Sequence, residues 1–78
     1  MKRRVYLTYS AELCKEPIIY DVGHKFKVVT NIRQANISKD IGIMALELDG
    51  PEDEIEKAIA YFKEKGVQVD PIEMGVVE

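Results

Sequence analysis

The side chains that most often carry out chemistry in proteins are scarce in this sequence. Its 78 residues include one histidine, His24, and one cysteine, Cys14. A metal site needs several such ligands together, and a reactive thiol needs a neighbouring base or positive charge. Cys14 has Lys15 beside it, but Glu12 and Glu16 oppose that charge. We therefore expect no enzyme activity, no metal centre and no cofactor, with His24 solvated and Cys14 unreactive.

Two other polar features have different explanations. The acidic run at residues 52–54 follows Pro51, and negative charge at the start of a helix is favoured by the helix dipole. Asn31 lies within a run of β-branched residues, where asparagine is disfavoured. Its amide is therefore a candidate to bind a bulged backbone or a ligand, while an exposed edge position is the alternative.

Composition limits the kinds of partner. The chain has 11 basic and 14 acidic residues and a net charge of −3. This charge argues against nucleic-acid binding, which depends on neutralising phosphates. No apolar run approaches the ~18 residues that a membrane-spanning helix needs, and the N-terminus lacks the apolar stretch of a signal peptide. We expect a cytoplasmic protein without direct membrane insertion.

The spacing of apolar residues predicts six elements. In chain order they are a strand over residues 4–9, a helix over 17–25, a strand over 27–37, a strand over 43–48, a helix from Pro51 to a left-handed cap at Gly66, and a strand over 67–70. The second helix has the clearest pattern, with Ile55, Ala58, Ile59 and Phe62 on one face. Odd-numbered and even-numbered positions of the strand over 27–37 both carry apolar residues. The sequence therefore does not show which of these positions face the core.

This order of elements predicts one α+β domain over residues 1–78. Two right-handed βαβ crossovers around a hairpin give a ferredoxin-like βαββαβ fold. Its antiparallel four-stranded sheet has the order 4-1-3-2, and both helices lie on one face. The other face is bare, with Tyr6, Thr8, Ile43 and Ala45 on its central strands, and is a candidate interface. The tail over residues 74–78 is expected to become ordered only against a neighbour.

Two functional classes with this topology fit the sequence poorly. An acylphosphatase-type enzyme needs an anion-binding loop with glycine and arginine after its first strand, and residues 10–16 contain neither. An RNA-recognition domain needs aromatic residues on both central strands. Tyr6 is one, but Ile43 and Ala45 cannot stack on bases.

Several segments together resemble the NIL domain family over about residues 4–74. Residues 26–32, ending in Asn31-Ile32, resemble the Asn-Ile-Leu stretch that names the family, with Arg33 in the leucine position. Residues 17–19 resemble the start of its first helix, residues 42–50 its third strand, and residues 58–69 its second helix and last strand. The order and spacing of these segments carry the resemblance.

The resemblance implies a function. NIL domains are ACT-like regulatory domains at the C-terminus of the ATPase subunit of methionine-import ABC transporters, where they pair and bind methionine. They also occur beside ferredoxin modules in proteins of sulfur-amino-acid formation. By position, Asn31 and Ile32 would contact the ligand, meeting the same region or the first helix of a second copy. Ile43 and Met44 would line an apolar slot for its side chain.

Two hypotheses from different classes follow. The first is a non-enzymatic, dimeric regulatory domain for methionine or a related sulfur amino acid, working with a larger transporter or sulfur-metabolism protein. The second is a protein-interaction subunit that docks a sulfur-transfer or homocysteine-forming enzyme and binds no small ligand. Stabilisation by an amino acid would distinguish the first from the second.

Overall fold

The predicted elements are present in the predicted order. The computed structural model describes residues 1–72, so the tail over 74–78 lies outside the described residues. The elements are β1 (Lys2–Ser10), a short 3₁₀ turn (Leu13–Lys15), α1 (Ile18–Lys25), β2 (Val29–Ile37), β3 (Ile41–Asp49), α2 (Glu52–Glu64) and β4 (Gln68–Pro71).

The four strands form one sheet in the order β2-β3-β1-β4, with every neighbouring pair antiparallel. This order is the predicted 4-1-3-2, so the ferredoxin-like fold is confirmed. Strands β1 and β3 are central because two crossovers of the same hand insert each new strand beside an earlier one. The outer strands β2 and β4 each leave one edge without a partner strand within residues 1–72.

The core lies between one sheet face and both helices. The strands contribute Val5, Leu7, Tyr9, Leu46 and Leu48, all 5 % exposed or less. The helices contribute residues at helical spacing: Ile18 and Val22 from α1, and Ile55, Ala58 and Phe62 from α2. Because all of these side chains form one cluster, both helices cover the same face.

The hairpin between β2 and β3 is tighter than predicted. Strand β3 begins at Ile41 rather than at residue 43. Ser38 closes the turn, since its N–H donates to the carbonyl oxygen of Ile41 at 2.8 Å and its hydroxyl donates to the same oxygen at 3.0 Å. Such local side-chain bonds are the usual reason for serine in turns.

A β-bulge at Arg33 settles the facing of β2. Residues Thr30 and Ile32 pair with core residues of β3, so even positions face the helices before the bulge. The register shifts between Ile32 and Gln34, and beyond it the odd-numbered Ala35 and Ile37 face the helices. A bulge adds one unpaired residue and so reverses the alternation. This reversal explains why both odd-numbered and even-numbered positions of β2 carry apolar residues.

Gly50 lies where the connection from β3 to α2 approaches another segment closely. A Cβ atom at this position would lie 2.5 Å from the carbonyl oxygen of Lys27 and 3.3 Å from Cα of Val28. Both neighbours are backbone atoms, which cannot rotate away. Lys27 is itself fixed to α2, because its N–H donates to Oε1 of Glu54 at 2.8 Å.

The substitution Gly50→Ala is expected to reduce the free energy of unfolding by about 1–3 kcal/mol, the usual cost of overpacking. Gly23→Ala is a matched control, because a Cβ atom in that helical position would meet nothing closer than 3.9 Å. The control should raise the free energy of unfolding by about 0.5–1 kcal/mol through helix propensity. Urea denaturation of both variants tests the contrast, and equal effects would contradict the close approach.

Candidate functional site

A pocket of about 190 Å³ opens where the start of α1 meets the hairpin end of the sheet. We call it the α1 pocket. It is lined by residues 16–20 around the start of α1, by Cys14, and by the strand residues Tyr9, Ile37, Gly42 and Met44. This volume is below the ~300–1,000 Å³ typical of sites for drug-sized molecules, and therefore suits a small ligand.

Gly42 forms the floor of the α1 pocket. It lies opposite Tyr9 on β1 and opposite Ile37 on β2, so it stands between two larger side chains on the helix-facing side. A Cβ atom there would lie 2.9 Å from Sγ of Cys14. The absence of a side chain at position 42 therefore leaves room for the Cys14 thiol and keeps the pocket open.

The start of α1, which borders the α1 pocket, carries backbone N–H groups without a capping side chain. Pro17 precedes the helix, and no side chain caps it. The first intrahelical bond runs from the N–H of Asp21 to the carbonyl oxygen of Pro17 at 3.0 Å. The N–H groups of Ile19 and Tyr20 come before that bond and belong to the orphan donors of a helix start. Together with the helix dipole they favour an anionic group.

Charge and polarity are otherwise sparse around the α1 pocket. Glu16 is the one charged residue of its lining, and it is exposed. Ile18, Ile37 and Met44 make most of the wall apolar. The lining of the α1 pocket is therefore mainly apolar, with one carboxylate at its exposed rim.

Tyr9 also lines the α1 pocket. Its side chain is 5 % exposed, and its hydroxyl has no hydrogen-bond partner within residues 1–72. Burial raises the pKa of Tyr9 to about 12, with a smaller contribution from the nearby Cys14 thiol. The sequence analysis placed residue 9 only at the end of the first predicted strand, over residues 4–9, and gave it no functional role. The available signal was a hydroxyl on the buried face of a strand, where a polar group needs a partner.

The structure divides the four predicted site residues between the two sheet faces. Met44 faces the helices and lines the α1 pocket, and Ile32 faces the same way but is 51 % exposed. Asn31 and Ile43 point to the opposite face. The four side chains therefore do not line one slot within a single chain, and their roles as ligand contacts stay predictions.

The face without helices has its own polar cluster. Glu47 is only 8 % exposed, although no helix of residues 1–72 covers it. Nε of Arg4 and Nη1 of Arg33 lie 3.3 and 3.8 Å from its carboxylate. Asn31 is the residue directly opposite Glu47 on β2. A shallow hollow beside this cluster is lined by Ile43 with Tyr6, Gln34, Asn36 and Ala45.

Within residues 1–72, no three His, Cys, Asp or Glu side chains come together as a metal site would require. No helix in this range is both long enough and apolar enough to span a membrane.

Comparison with known proteins gives a consistent result. The methionine import ATP-binding protein MetN of Halalkalibacterium halodurans is 40% identical over 74 residues, which are 90% of this chain and 22% of that protein. MetN of Bacillus subtilis is 32% identical over 74 residues, again 90% of this chain and 22% of that protein. The chain thus spans about a fifth of the length of these curated relatives.

A solved structure and a family profile agree with these relatives. The C-terminal domain of an ABC transporter ATP-binding protein from Enterococcus faecalis superposes with a TM-score of 0.82 and 28% identity, over 92% of this chain and 84% of that one. The profile of the NIL domain matches residues 3–71. This match covers nearly the whole chain, which therefore belongs to the NIL domain family.

Proposed function

We propose that this chain is a non-enzymatic regulatory domain that binds methionine or a related sulfur amino acid and works as a dimer. The observation that carries the proposal is the α1 pocket, which combines apolar walls with uncapped helix N–H groups and one carboxylate. The NIL family and the MetN relatives support the choice of ligand. The larger partner would be a transporter ATPase or another sulfur-metabolism protein in the cytoplasm.

The pocket offers a complementary group for each part of a free amino acid. The carboxylate would accept hydrogen bonds from the N–H groups of Ile19 and Tyr20, where the helix dipole also favours negative charge. The ammonium group would lie near the carboxylate of Glu16. The side chain would extend over Gly42 towards Met44. A thioether chain suits such walls because it is apolar and adaptable.

The outer edge of β2 supports pairing with a second copy. The strand is nine residues long and exposes Val29, Ile32 and Ile37 by 68, 51 and 60 %. Natural edge strands are normally protected by charges, prolines or short length. Here the one charged residue is Arg33, which turns back to Glu47. A thin core also gains from an added interface in a domain of this size.

The bulge restricts how two copies of β2 can pair. Directly opposite residues in an antiparallel pair point to the same face. The alternation of facing along β2 reverses at Arg33. If two copies of β2 pair along their length, directly opposite residues therefore lie on the same sheet face only when the twofold axis passes through the bulge. We place the axis between residues 33 and 34, which sets Asn31 opposite Asn36 of the other copy. Ile32 then lies diagonal to Ile37 and extends the wall of the other copy's α1 pocket.

The first test is thermal unfolding of the domain with each free amino acid at millimolar concentration. A ligand at ~100 times its Kd adds about 2.7 kcal/mol, and the midpoint moves ~4–8 °C per kcal/mol in a domain this small. We expect methionine or a close sulfur analogue to raise the midpoint by about 10–20 °C.

The variant Gly42→Val fills the floor of the pocket and should abolish this rise, with Gly23→Ala as the control that keeps it. If no amino acid changes the wild-type midpoint, the proposal is wrong and a docking role without a small ligand is favoured instead.

Asn31 is the contact implied by the family motif. Because Asn31 lies on the sheet face opposite to the α1 pocket, a retained methionine-induced rise in Asn31→Ala is the outcome that the α1 pocket predicts, whereas its loss would place the ligand at the family motif. In either case the free energy of unfolding should change by no more than about 0.5 kcal/mol, as for most surface substitutions. Gln34→Ala, on the same strand and face, is the control and should bind normally. Calorimetric titration measures both affinities, and full affinity in Asn31→Ala would remove Asn31 from the site.

The proposed interface predicts that Ile32→Lys is monomeric, because a lysine there replaces an apolar contact between the β2 edges with a charge. Gln68→Lys, which adds the same charge on the opposite edge strand β4, should remain dimeric. Analytical ultracentrifugation distinguishes the two species. A dimeric Ile32→Lys, or a wild-type protein that is monomeric with and without methionine, would exclude this interface.

A further inference from the structure

The sheet face without helices carries a hollow that is separate from the α1 pocket. It has a volume of about 170 Å³ and is lined by Tyr6, Gln34, Asn36, Ile43 and Ala45. We call it the sheet hollow. Ala45 forms its floor, because Tyr6 on β1 and Gln34 on β2 are both directly opposite Ala45 on β3. The small side chain at position 45 therefore leaves a gap between two larger ones.

The sheet hollow has an aromatic ring on one side and two carboxamide groups on the other. Tyr6 is 44 % exposed, so its ring is accessible from solvent. Gln34 and Asn36 are exposed across the gap on β2. Since β3 lies between these two strands, their backbones are about 10 Å apart, which is twice the spacing of neighbouring strands. This gap suits a flat ring whose edge carries hydrogen-bonding groups.

Two arginines lie next to the sheet hollow on the same face. Arg4 precedes Tyr6 by two residues on β1. Arg33 is the bulge residue beside Gln34 on β2. Nε of Arg4 and Nη1 of Arg33 both lie near the carboxylate of Glu47, at 3.3 and 3.8 Å. One carboxylate cannot neutralise two guanidinium groups, and each guanidinium has five N–H donors. The cluster therefore keeps positive charge and N–H groups for a second anion.

We propose that this face of the sheet binds an adenine nucleotide, with its base in the sheet hollow and its phosphate beside Arg4 and Arg33. Bases stack on exposed aromatic side chains, and Tyr6 supplies such a ring. Guanidinium groups suit phosphate because they donate paired, charge-assisted hydrogen bonds. Residues two apart on a strand are about 7 Å apart, a distance that the ribose of a mononucleotide spans.

The two carboxamides favour adenine over guanine. Adenine presents a donor amino group beside an acceptor ring nitrogen, and one carboxamide matches this pair with its own acceptor and donor. Guanine presents two acceptors in the same places, which a guanidinium or ammonium group matches better. Gln34 and Asn36 line the sheet hollow, whereas both arginines are held at Glu47 beside it.

The arrangement suits a single nucleotide rather than a strand of nucleic acid. Ile43 and Ala45 occupy the positions on β3 where further stacking rings would be needed, and the net charge of −3 opposes a long polyanion. Asp70 lies opposite Tyr6 on β4, so the phosphate is placed towards β2 instead. Pairing of two copies through β2 extends the sheet without covering this face, so the nucleotide and amino-acid sites are separate.

The test is calorimetric titration of the domain with adenosine monophosphate (AMP), guanosine monophosphate (GMP), adenosine and inorganic phosphate. AMP should bind about fivefold or more tightly than GMP or adenosine, because each of these lacks at least one hydrogen bond that AMP makes. Inorganic phosphate should bind more weakly than AMP because it has no base to stack. Saturating methionine should leave the affinity for AMP unchanged.

Two pairs of variants locate the site. Ala45→Leu fills the floor of the sheet hollow and should weaken AMP binding about tenfold or more, whereas Gln68→Leu adds bulk on the same face outside the hollow and should bind normally. Tyr6→Ala should weaken AMP binding about five- to hundredfold, the range for loss of one stacking ring. Tyr6→Phe keeps the ring and should bind like the wild type. Thermal unfolding without ligand checks that each variant is folded.

The outcomes separate the nucleotide site from the proposed function. If AMP does not bind, or binds no more tightly than GMP and adenosine, the nucleotide site is wrong while amino-acid binding at the α1 pocket stands. Wild-type affinity for AMP in Ala45→Leu and Tyr6→Ala, or displacement of AMP by methionine, would also exclude the site. If AMP binds as expected and no amino acid does, the nucleotide site stands and the regulatory function is wrong.

Discussion

The ion pairs that Glu47 forms with Arg4 and Arg33 are the interactions on which the arrangement of this domain depends. Glu47 is the one buried charged residue within residues 1–72, and a buried carboxylate requires close partners. Arg4 reaches it from the neighbouring central strand, and Arg33 reaches it from the bulge in β2. Such clusters often add little net stability. We infer that this one fixes the position of the bulge, and therefore which residues of β2 face the helices.

The sequence predicted the topology because the central strands and α2 follow simple periods. Residues 5, 7 and 9 alternate cleanly in β1, and the stripe of α2 has helical spacing, so both buried faces were predicted correctly. The facing of β2 could not be predicted in the same way. Its alternation reverses at Arg33, and a reversal depends on pairing with β3 rather than on any local pattern. The resemblance to the NIL family identified the segment that forms β2, but it did not show which residues of β2 face the helices.

The candidate site was predicted less completely, for a physical reason. The α1 pocket is formed by residues distant in sequence: Tyr9 from β1, Cys14 from a loop, the start of α1, and Gly42 with Ile37 from the hairpin. Its volume exists because position 42 has no side chain, and hydropathy patterns do not register missing volume. Met44 was predicted and lines the pocket. Tyr9 was missed because a buried tyrosine is ordinarily part of the core.

The proposed interface and the α1 pocket are coupled if Ile32 of one copy extends the pocket of the other. A ligand that contacts both copies binds the dimer more tightly than the monomer. By linkage, the ligand must then strengthen dimerisation by the same factor. A small domain without catalytic groups can regulate a larger protein in this way, because the ligand changes which pairs of domains associate.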